Sequence, residues 1–421
     1  LILVDTILNL LSLLIYTVHT KSITLELRPR LQICNVFIHL NKKVNSTGVT
    51  IRLSKESIKI TTKNNTIIFL TEFVKLIPDS LSILDITNNW ICFRAQTMSD
   101  PVFGSFKTQI ITNPAFNVNS LRDSFRTTEL FNTGKYHIMC ASCKNILSKD
   151  MCIKRILPVP DMNYDSSEWF CCRHNHSITT HNLVPSESDI FYGSLFFIIH
   201  ASLFNHNLKI DENVAICSRC LQNLGKILTD NSLKLWSCAV DYNLLGNSQS
   251  KTASDPFNDF LLAIKTSMTG MLGEEIILQC FVGKEIHSLI LKPMDWHLNL
   301  MIEPKEMSDN NTVTLQRISV VKVLYKYETN KNILDSVNKS YCEVSILVIR
   351  AGLEHLLKST KRFPQLHRTV IDWYIGHISV YIFLTVHKFV CRCQHIIYST
   401  ILCKLVSFKA VTISVIIYYK K

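Results

Sequence analysis

Two cysteine pairs with the same short spacing most strongly limit what this chain can fold into. Cys140 and Cys143 form one Cys-x-x-Cys turn, and Cys217 and Cys220 form a second. Each turn brings two thiolates to one point, and two turns complete a tetrahedral metal shell with sulfur about 2.3 Å from the ion. The spacing therefore predicts a structural zinc site. A closed shell of four thiolates leaves no position for a water ligand, so such a site cannot perform hydrolysis.

The chain length helps to choose between uses of its fifteen cysteines. A chain of 421 residues can bury its own core and does not need disulfides to hold it together. Paired cysteines in a chain of this size favour a metal in a reducing compartment over a disulfide framework. A redox Cys-x-x-Cys is the weaker alternative, because neither pair follows a βαβ pattern. We therefore expect a cytoplasmic protein.

The net charge of +12 is typical of nucleic-acid-binding proteins until its distribution is considered. Residues 381–421 carry six basic residues and no acidic one, which accounts for half of the excess. The rest of the chain has a mild basic balance without a concentrated stripe. We therefore expect no direct contact with nucleic acid.

Both ends of the chain differ in composition from the middle. Residues 1–21 are apolar but lack the basic start of a signal peptide and are short for a membrane span. Residues 377–421 are rich in Ile, Val, Phe and Tyr, but lysine and arginine interrupt the apolar runs at a cost to membrane insertion. We expect both segments to be artefacts of a gene model rather than parts of the fold, and we expect no membrane partner.

Between these ends the pattern predicts an α+β, β-dominant fold. Apolar residues alternate with polar ones at Ile23, Leu25 and Leu27 and again around residues 51–60, which indicates antiparallel strands with one face on a core. The expected divisions are a β-rich N-terminal domain with the zinc site at 22–245 and a smaller α+β domain at 246–376.

One helix is predicted clearly, over residues 256–268. Ser254-Asp255 can cap it, a proline follows in the first turn, and apolar residues recur at helical spacing. Such a stripe usually packs into the protein's own core, and the alternative is that it binds a partner. The side chains of the stripe that matter for this choice are Phe257, Phe260, Leu261 and Ile264.

A second cluster of metal-binding residue types lies between the two cysteine pairs. It could form another metal site or a Cys/His nucleophile pair, but closeness in sequence does not place catalytic partners in space. Loop structure is the more economical interpretation. Its members are Cys171, Cys172, His174, His176 and His181.

Six motifs taken together make this chain similar to the E2-binding, HECT-like family of ubiquitin-protein ligases. They include both cysteine pairs, a Leu-Pro-x-Pro stretch, a Trp followed closely by Cys, and a Ser-Val-Val-Lys-Val-Leu-Tyr strand, in the family's order. They occupy residues 139–143, 153–160, 168–172, 189–193, 216–225 and 319–325.

The resemblance implies a transferase that accepts ubiquitin from an E2 conjugating enzyme and passes it to substrate proteins. The family's E2-contacting stretch corresponds to residues 249–268, which includes the predicted helix and favours partner binding for it. A ligase of the HECT type needs a thiolate to carry ubiquitin as a thioester. No HECT active-site motif is visible, and Cys280 and Cys342 are the candidates in the C-terminal half, so we assign no catalytic cysteine.

The resemblance also implies a second role, inhibition of the endonuclease of pre-mRNA cleavage and polyadenylation. The family's Trp-x-Cys loop plugs the metal site of that nuclease, and a thiolate suits this because it binds zinc directly. Here the contact residues are Trp169, Cys171 and Cys172. Cys172 replaces the family's histidine and His174 lies two residues further on, which leaves open the side chain that reaches the metal. This role would add a nuclear location.

Overall fold

A computed structural model describes most of the chain between residues 20 and 379. The described ranges are 20–44, 48–62, 65–98, 134–159, 184–229, 231–244, 250–251, 253–267, 274–304, 311–330 and 339–379.

Strands dominate these residues, in agreement with the predicted α+β, β-dominant class. In chain order they are β1 Thr20–Arg28, β2 Ile33–Leu40, β3 Val49–Ser54, β4 Ser57–Thr62, β5 Thr66–Leu70, β6 Ser82–Thr87, β7 Trp90–Gln96, β8 Gly134–Cys140, β9 Met151–Ile153, β10 Arg155–Pro158, β11 Asp189–Tyr192, β12 Phe196–His200, β13 Leu208–Asp211, β14 Val214–Cys217, β15 Asn223–Thr229, β16 Ser232–Trp236, β17 Val240–Leu244, β18 Ser250–Lys251, β19 Glu275–Val282, β20 Glu285–Ile302, β21 Thr312–Thr314, β22 Gln316–Thr329, β23 Lys339–Glu343, β24 Thr369–Val370 and β25 Trp373–Ser379.

Within the described residues these strands form four sheets. A ten-stranded sheet has the order β24-β25-β22-β20-β1-β2-β7-β6, with β19 joining β20 and β23 joining β19. A four-stranded sheet has the order β21-β5-β4-β3. The third sheet runs β10-β11-β12-β16-β15-β14-β13 and the fourth β18-β17-β8-β9. Most neighbours are antiparallel, as predicted, and the parallel pairs are β10 with β11, β19 with β23 and β21 with β5.

Two large hydrophobic cores hold these sheets together. The smaller lies between the β1, β2 and β7 part of the large sheet and the β3–β5 sheet, and it contains Leu25, Ile58 and Phe69. The larger joins the cysteine-bearing sheets to the helices and to β19, β20 and β22. Both cores, and the large sheet itself, draw on residues from each side of position 245. The predicted division of the chain at that position stays a prediction.

Strand β1 departs from the expected half-burial. Its apolar residues face the smaller core, but Thr24 and Glu26 on the other face are also buried. Burial alone would raise the pKa of Glu26, yet the ammonium of Lys322, 3.1 Å from its carboxylate, and the guanidinium of Arg28 keep that pKa below its ordinary value. Arg362 donates to Thr24 Oγ1 at 3.0 Å. These contacts give hydrogen-bonding and ionic partners to the polar face of β1, which the alternating sequence pattern predicts to be exposed to solvent.

Two α-helices are present in the described chain, α1 Pro256–Ser267 and α2 Ile346–Thr360. The prediction for α1 is confirmed together with its cap, because Asp255 Oδ2 accepts the amide of Asn258 at 3.1 Å. Ser345 caps α2 by accepting the amide of Leu347. Across the part of the chain that is described, neither helix has the length and apolarity to cross a membrane.

Candidate metal centre and partner helix

The two cysteine pairs fold into turns of matching geometry. The residue after each second cysteine, Lys144 or Leu221, has φ of 59°. Its amide donates to the carbonyl oxygen of the first cysteine of its pair, at 2.9 Å in both turns. A non-glycine residue in this left-handed region costs roughly 1–2 kcal/mol. The same strained turn at both pairs is therefore a feature that the surrounding structure maintains.

The strands bring the four thiols of these turns together, as the spacing predicts. Cys140 Sγ lies 3.5 Å from Cys220 Sγ, and Cys143 Sγ lies 3.6 Å from Cys217 Sγ. All four sulfurs are within 4.8 Å of one another. Four thiolates at 2.3 Å from a central ion in a tetrahedron are about 3.8 Å apart. The site thus has the size and the donor set to hold a metal ion.

The local electrostatics suit a bound cation. Burial raises the pKa of the Cys140 thiol to about 12. The cysteines of the site can therefore form a shell of thiolates at neutral pH only when a bound cation offsets their negative charge. Burial acts in the same direction on Cys217, but amides of the turn at Cys220 and Arg219 lower its pKa to about 7. Asn145 donates its side-chain amide to Cys217 Sγ at 3.8 Å. The sequence pattern did not reveal Asn145, because a side-chain donor to sulfur has no fixed spacing.

The four side chains predicted to contact an E2 lie on α1. Phe260, Leu261 and Ile264 are buried in the larger core, and Phe257 is half-buried. Phe260 packs directly beneath Gly352 of α2, where an added Cβ would lie 2.4 Å from its ring. The stripe therefore packs into the protein's own core, which is the first of the two alternatives. Phe257 lies at the edge of this packing, with its ring centroid 4.5 Å from that of His355.

The residues predicted to contact a nuclease, Trp169, Cys171 and Cys172, lie outside the described residues. The strands before and after that segment are described and pair in parallel, β10 with β11. Arg155 clamps them by donating to both carboxylate oxygens of Asp189, at 2.8 and 2.6 Å. The guanidinium lowers the pKa of Asp189 to about 2. Because the two strands are parallel, the chain leaves this sheet at the end of β10 and re-enters it at the start of β11, at the opposite end of the strand pair.

The two cysteines considered as ubiquitin carriers lie on neighbouring strands, Cys280 on β19 and Cys342 on β23. Cys280 is buried, and burial raises the pKa of its thiol to about 12. The thiolate is the nucleophilic form of cysteine, so the environment of Cys280 does not activate it. Cys342 is half-buried.

Comparison with known proteins identifies the class of molecule that carries this centre. Residues 26–375 match the model of the family described as HECT-like ubiquitin-conjugating enzyme (E2)-binding. The match covers most of the chain, and the protein belongs to this family, which confirms the resemblance of its motifs.

Individual relatives match over shorter stretches. A mouse protein named as an E3 ubiquitin-protein ligase is 30% identical over 128 residues, which is 30% of this chain and 33% of the relative. The rat protein of the same name is 33% identical over 104 residues, 24% of this chain and 27% of the relative. These alignments therefore span about a third of the curated relatives. No solved structure matches the chain.

Proposed function

We propose that this protein is an E3 ubiquitin-protein ligase that binds a ubiquitin-charged E2 and promotes transfer of ubiquitin to substrate proteins. The observation that carries the proposal is the E2-binding family match over residues 26–375, which includes both the metal centre and α1. Relatives named as ubiquitin ligases support the same activity. The cytoplasm and the nucleus are the proposed locations.

We propose zinc as the ion of the four-cysteine site. Zinc favours tetrahedral thiolate shells, and four protein ligands leave no open position, which makes the role structural. Metal analysis of the purified protein tests this directly. We expect one zinc per chain and its loss in a variant with Cys140→Ser. A protein that contains no stoichiometric zinc contradicts the assignment.

The proposed E2 contact is the stretch of residues 249–268. Of the four side chains predicted on α1, Phe257 is the one that is not fully buried, so it is the one that a partner can reach without opening the core. We expect Phe257→Ser to weaken E2 binding. Leu366→Ser is the matched control, because Leu366 is a large apolar residue that is 84% exposed on another element. Equal E2 affinity of both variants and the wild type would remove this stretch from the interface.

The route of ubiquitin transfer can be separated experimentally. The purified protein is mixed with charged E2 and resolved without reducing agent, which preserves a thioester. A thiol-sensitive ubiquitin adduct on the chain indicates a carrier cysteine, while discharge onto substrate without an adduct indicates direct transfer from the E2. If the chain does not accelerate discharge from any E2 of a broad panel, the ligase proposal fails.

A second candidate function is binding and inhibition of the pre-mRNA cleavage and polyadenylation endonuclease through Trp169, Cys171 and Cys172. The pairing of β10 with β11 favours it, because a clamped pair of strands is a rigid base for a recognition loop. We expect Cys171→Ser to abolish nuclease binding and to leave E2 binding intact. Unchanged nuclease binding by this variant excludes the role of Cys171.

A further inference from the structure

The first cysteine turn is connected to the start of α1 by a short chain of polar contacts. Lys144, the strained residue that follows Cys143, extends its ammonium to within 2.5 Å of Asp241 Oδ2. The other oxygen of this carboxylate, Oδ1, accepts the amide of Ala253 at 2.7 Å. Ala253 lies three residues before the first residue of α1. One side chain therefore joins the cysteine turn to the segment that enters the helix.

Asp241 has little access to any other partner. It is 4% exposed, on β17, and a buried carboxylate that loses its cation becomes an uncompensated charge. Its position opposite Met139 of β8 places it beside the strand that leads into the first cysteine pair. The backbone supports the same connection, since the amide of Ala141 donates to the carbonyl oxygen of Ala239 at 3.0 Å.

Further polar contacts hold the segment that enters α1. The amide of Ser254 donates to the carbonyl oxygen of Ser237 at 3.1 Å, and Ser254 Oγ donates to the buried carboxylate of Asp259 at 2.7 Å. The helix entry thus depends on partners from β17 and from the turn that precedes it. If Asp241 is displaced, the amide of Ala253 loses its acceptor, directly before Ser254, where these contacts begin.

The second cysteine turn provides an internal comparison. Leu221 occupies the position equivalent to Lys144, with the same φ, but its apolar side chain is 69% exposed. The ion pair to Asp241 is therefore specific to the first turn. The geometry of the turn alone does not require a cation at this position.

We infer that metal binding at the four cysteines orders the entry of α1 through Lys144 and Asp241, so that the metal centre controls the stretch proposed to contact the E2. The metal fixes the first turn, and the turn places the ammonium of Lys144 beside Asp241. The carboxylate of Asp241, whose charge Lys144 then balances, accepts the amide of Ala253. The inference extends the proposed function by giving the metal a specific task in partner binding.

Hydrogen exchange of the full chain tests this connection without any E2 or ubiquitin. Exchange of the backbone amides in 253–259, where every residue except Pro256 carries one, is compared with that of the β3–β4 hairpin, residues 49–62, before and after chelation. In the wild type we expect chelation to raise exchange at 253–259 about tenfold while the hairpin stays protected. In Lys144→Met with its metal bound, exchange at 253–259 is expected to be already raised, at unchanged metal content. The control is Lys149→Met, a nearby exposed lysine that donates to the carbonyl oxygen of Ser202 and is expected to behave as wild type.

Asp241→Asn provides a second test, because the amide keeps an oxygen for Ala253 but loses the charge that attracts Lys144. The inference is overturned if Lys144→Met retains wild-type protection, if chelation leaves 253–259 unchanged, or if the hairpin loses protection equally. Loss of metal from both Lys144→Met and Asp241→Asn also overturns it, since the ion pair would then be needed for metal binding and not for order at the helix entry. Failure of E2 binding with the expected exchange pattern would instead remove the proposed function and leave the connection intact.

Discussion

Replacement of Asp259 by Asn should remove the contribution of one buried carboxyl to the pH dependence of folding stability. Asp259 lies on α1 with 5% exposure. Burial raises the pKa of its carboxyl from 3.8 to about 7, although hydrogen bonds from Ser254 and Cys238 act in the opposite direction. Asp255 is the nearby charge that adds to the rise. Asparagine preserves the size of the side chain and an acceptor for Ser254, but it carries no titrating proton.

The magnitude follows from linkage. Between pH 4 and 7 the folded protein keeps a proton on Asp259 that the unfolded chain releases. The free energy of unfolding therefore falls as pH rises through this window and is constant above it. A shift of about three pKa units corresponds to ~4 kcal/mol over the full range. From pH 5 to pH 8, which covers about two of those units, the fall attributable to Asp259 is ~3 kcal/mol.

Urea unfolding of both proteins at pH 5, 6, 7 and 8 measures the effect. Thiolate protonation also changes metal affinity with pH, but this contribution is common to the wild type and the variant and cancels in their difference. We expect the variant to gain ~3 kcal/mol relative to the wild type between pH 5 and pH 8. The control is Asp211→Asn, which removes an exposed carboxylate on β13 that is not among the groups acting on Asp259. If the free energy of unfolding changes with pH by the same amount in Asp259→Asn and in the wild type, the carboxyl ionises in the folded protein without loss of stability, and the reasoning is refuted.

Three further substitutions test the packing around the site by urea unfolding. Gly225→Ala should cost more than 3 kcal/mol or prevent folding, because its Cβ would lie 1.9 Å from the carbonyl oxygen of Lys234; a loss below 1 kcal/mol would contradict this close approach. Lys234→Met should lower the free energy of unfolding by about 3 kcal/mol, because Lys234 is fully buried and its ammonium pairs with Glu343 at 2.9 Å. The same ammonium lies within 4.5 Å of the ring centroids of Phe196 and Trp236. Near-wild-type stability would show that Lys226 alone compensates the charge of Glu343. Leu221→Gly should stabilise the protein by about 1 kcal/mol at unchanged metal content, because glycine relieves the left-handed backbone; destabilisation would indicate that the leucine side chain has a packing role.

The parts of the structure that could be predicted from sequence are those with local signals. The spacing of each cysteine pair indicated the metal site, because a turn of four residues fixes where its thiols lie. Helix α1 was predictable because Asp255 and Pro256 mark its start. Two-residue alternation likewise identified β3 and β4, where Ile58 and Ile60 are buried and Lys59 is exposed.

The parts that were missed depend on contacts between distant residues. The first half of α2 is rich in β-branched and large apolar residues, which are typical of strands, and tertiary packing makes it helical. The buried polar face of β1 depends on Lys322 and Arg362, about 300 residues away in sequence. The contact of Lys144 with Asp241 spans 97 residues and likewise has no local signal. The same limitation explains why an amphipathic stripe could not show whether α1 packs inward or binds a partner.

The measurement that tests the central claim most directly is the rate at which ubiquitin leaves a charged E2 in a single turnover. It should be made across a panel of E2 enzymes, with the metal-loaded full chain and with the Cys140→Ser variant at equal concentration. We predict that the wild-type chain accelerates discharge from at least one E2 and that the variant, which lacks the metal centre, does not. Equal discharge with the wild type, the variant and no added protein would contradict the account.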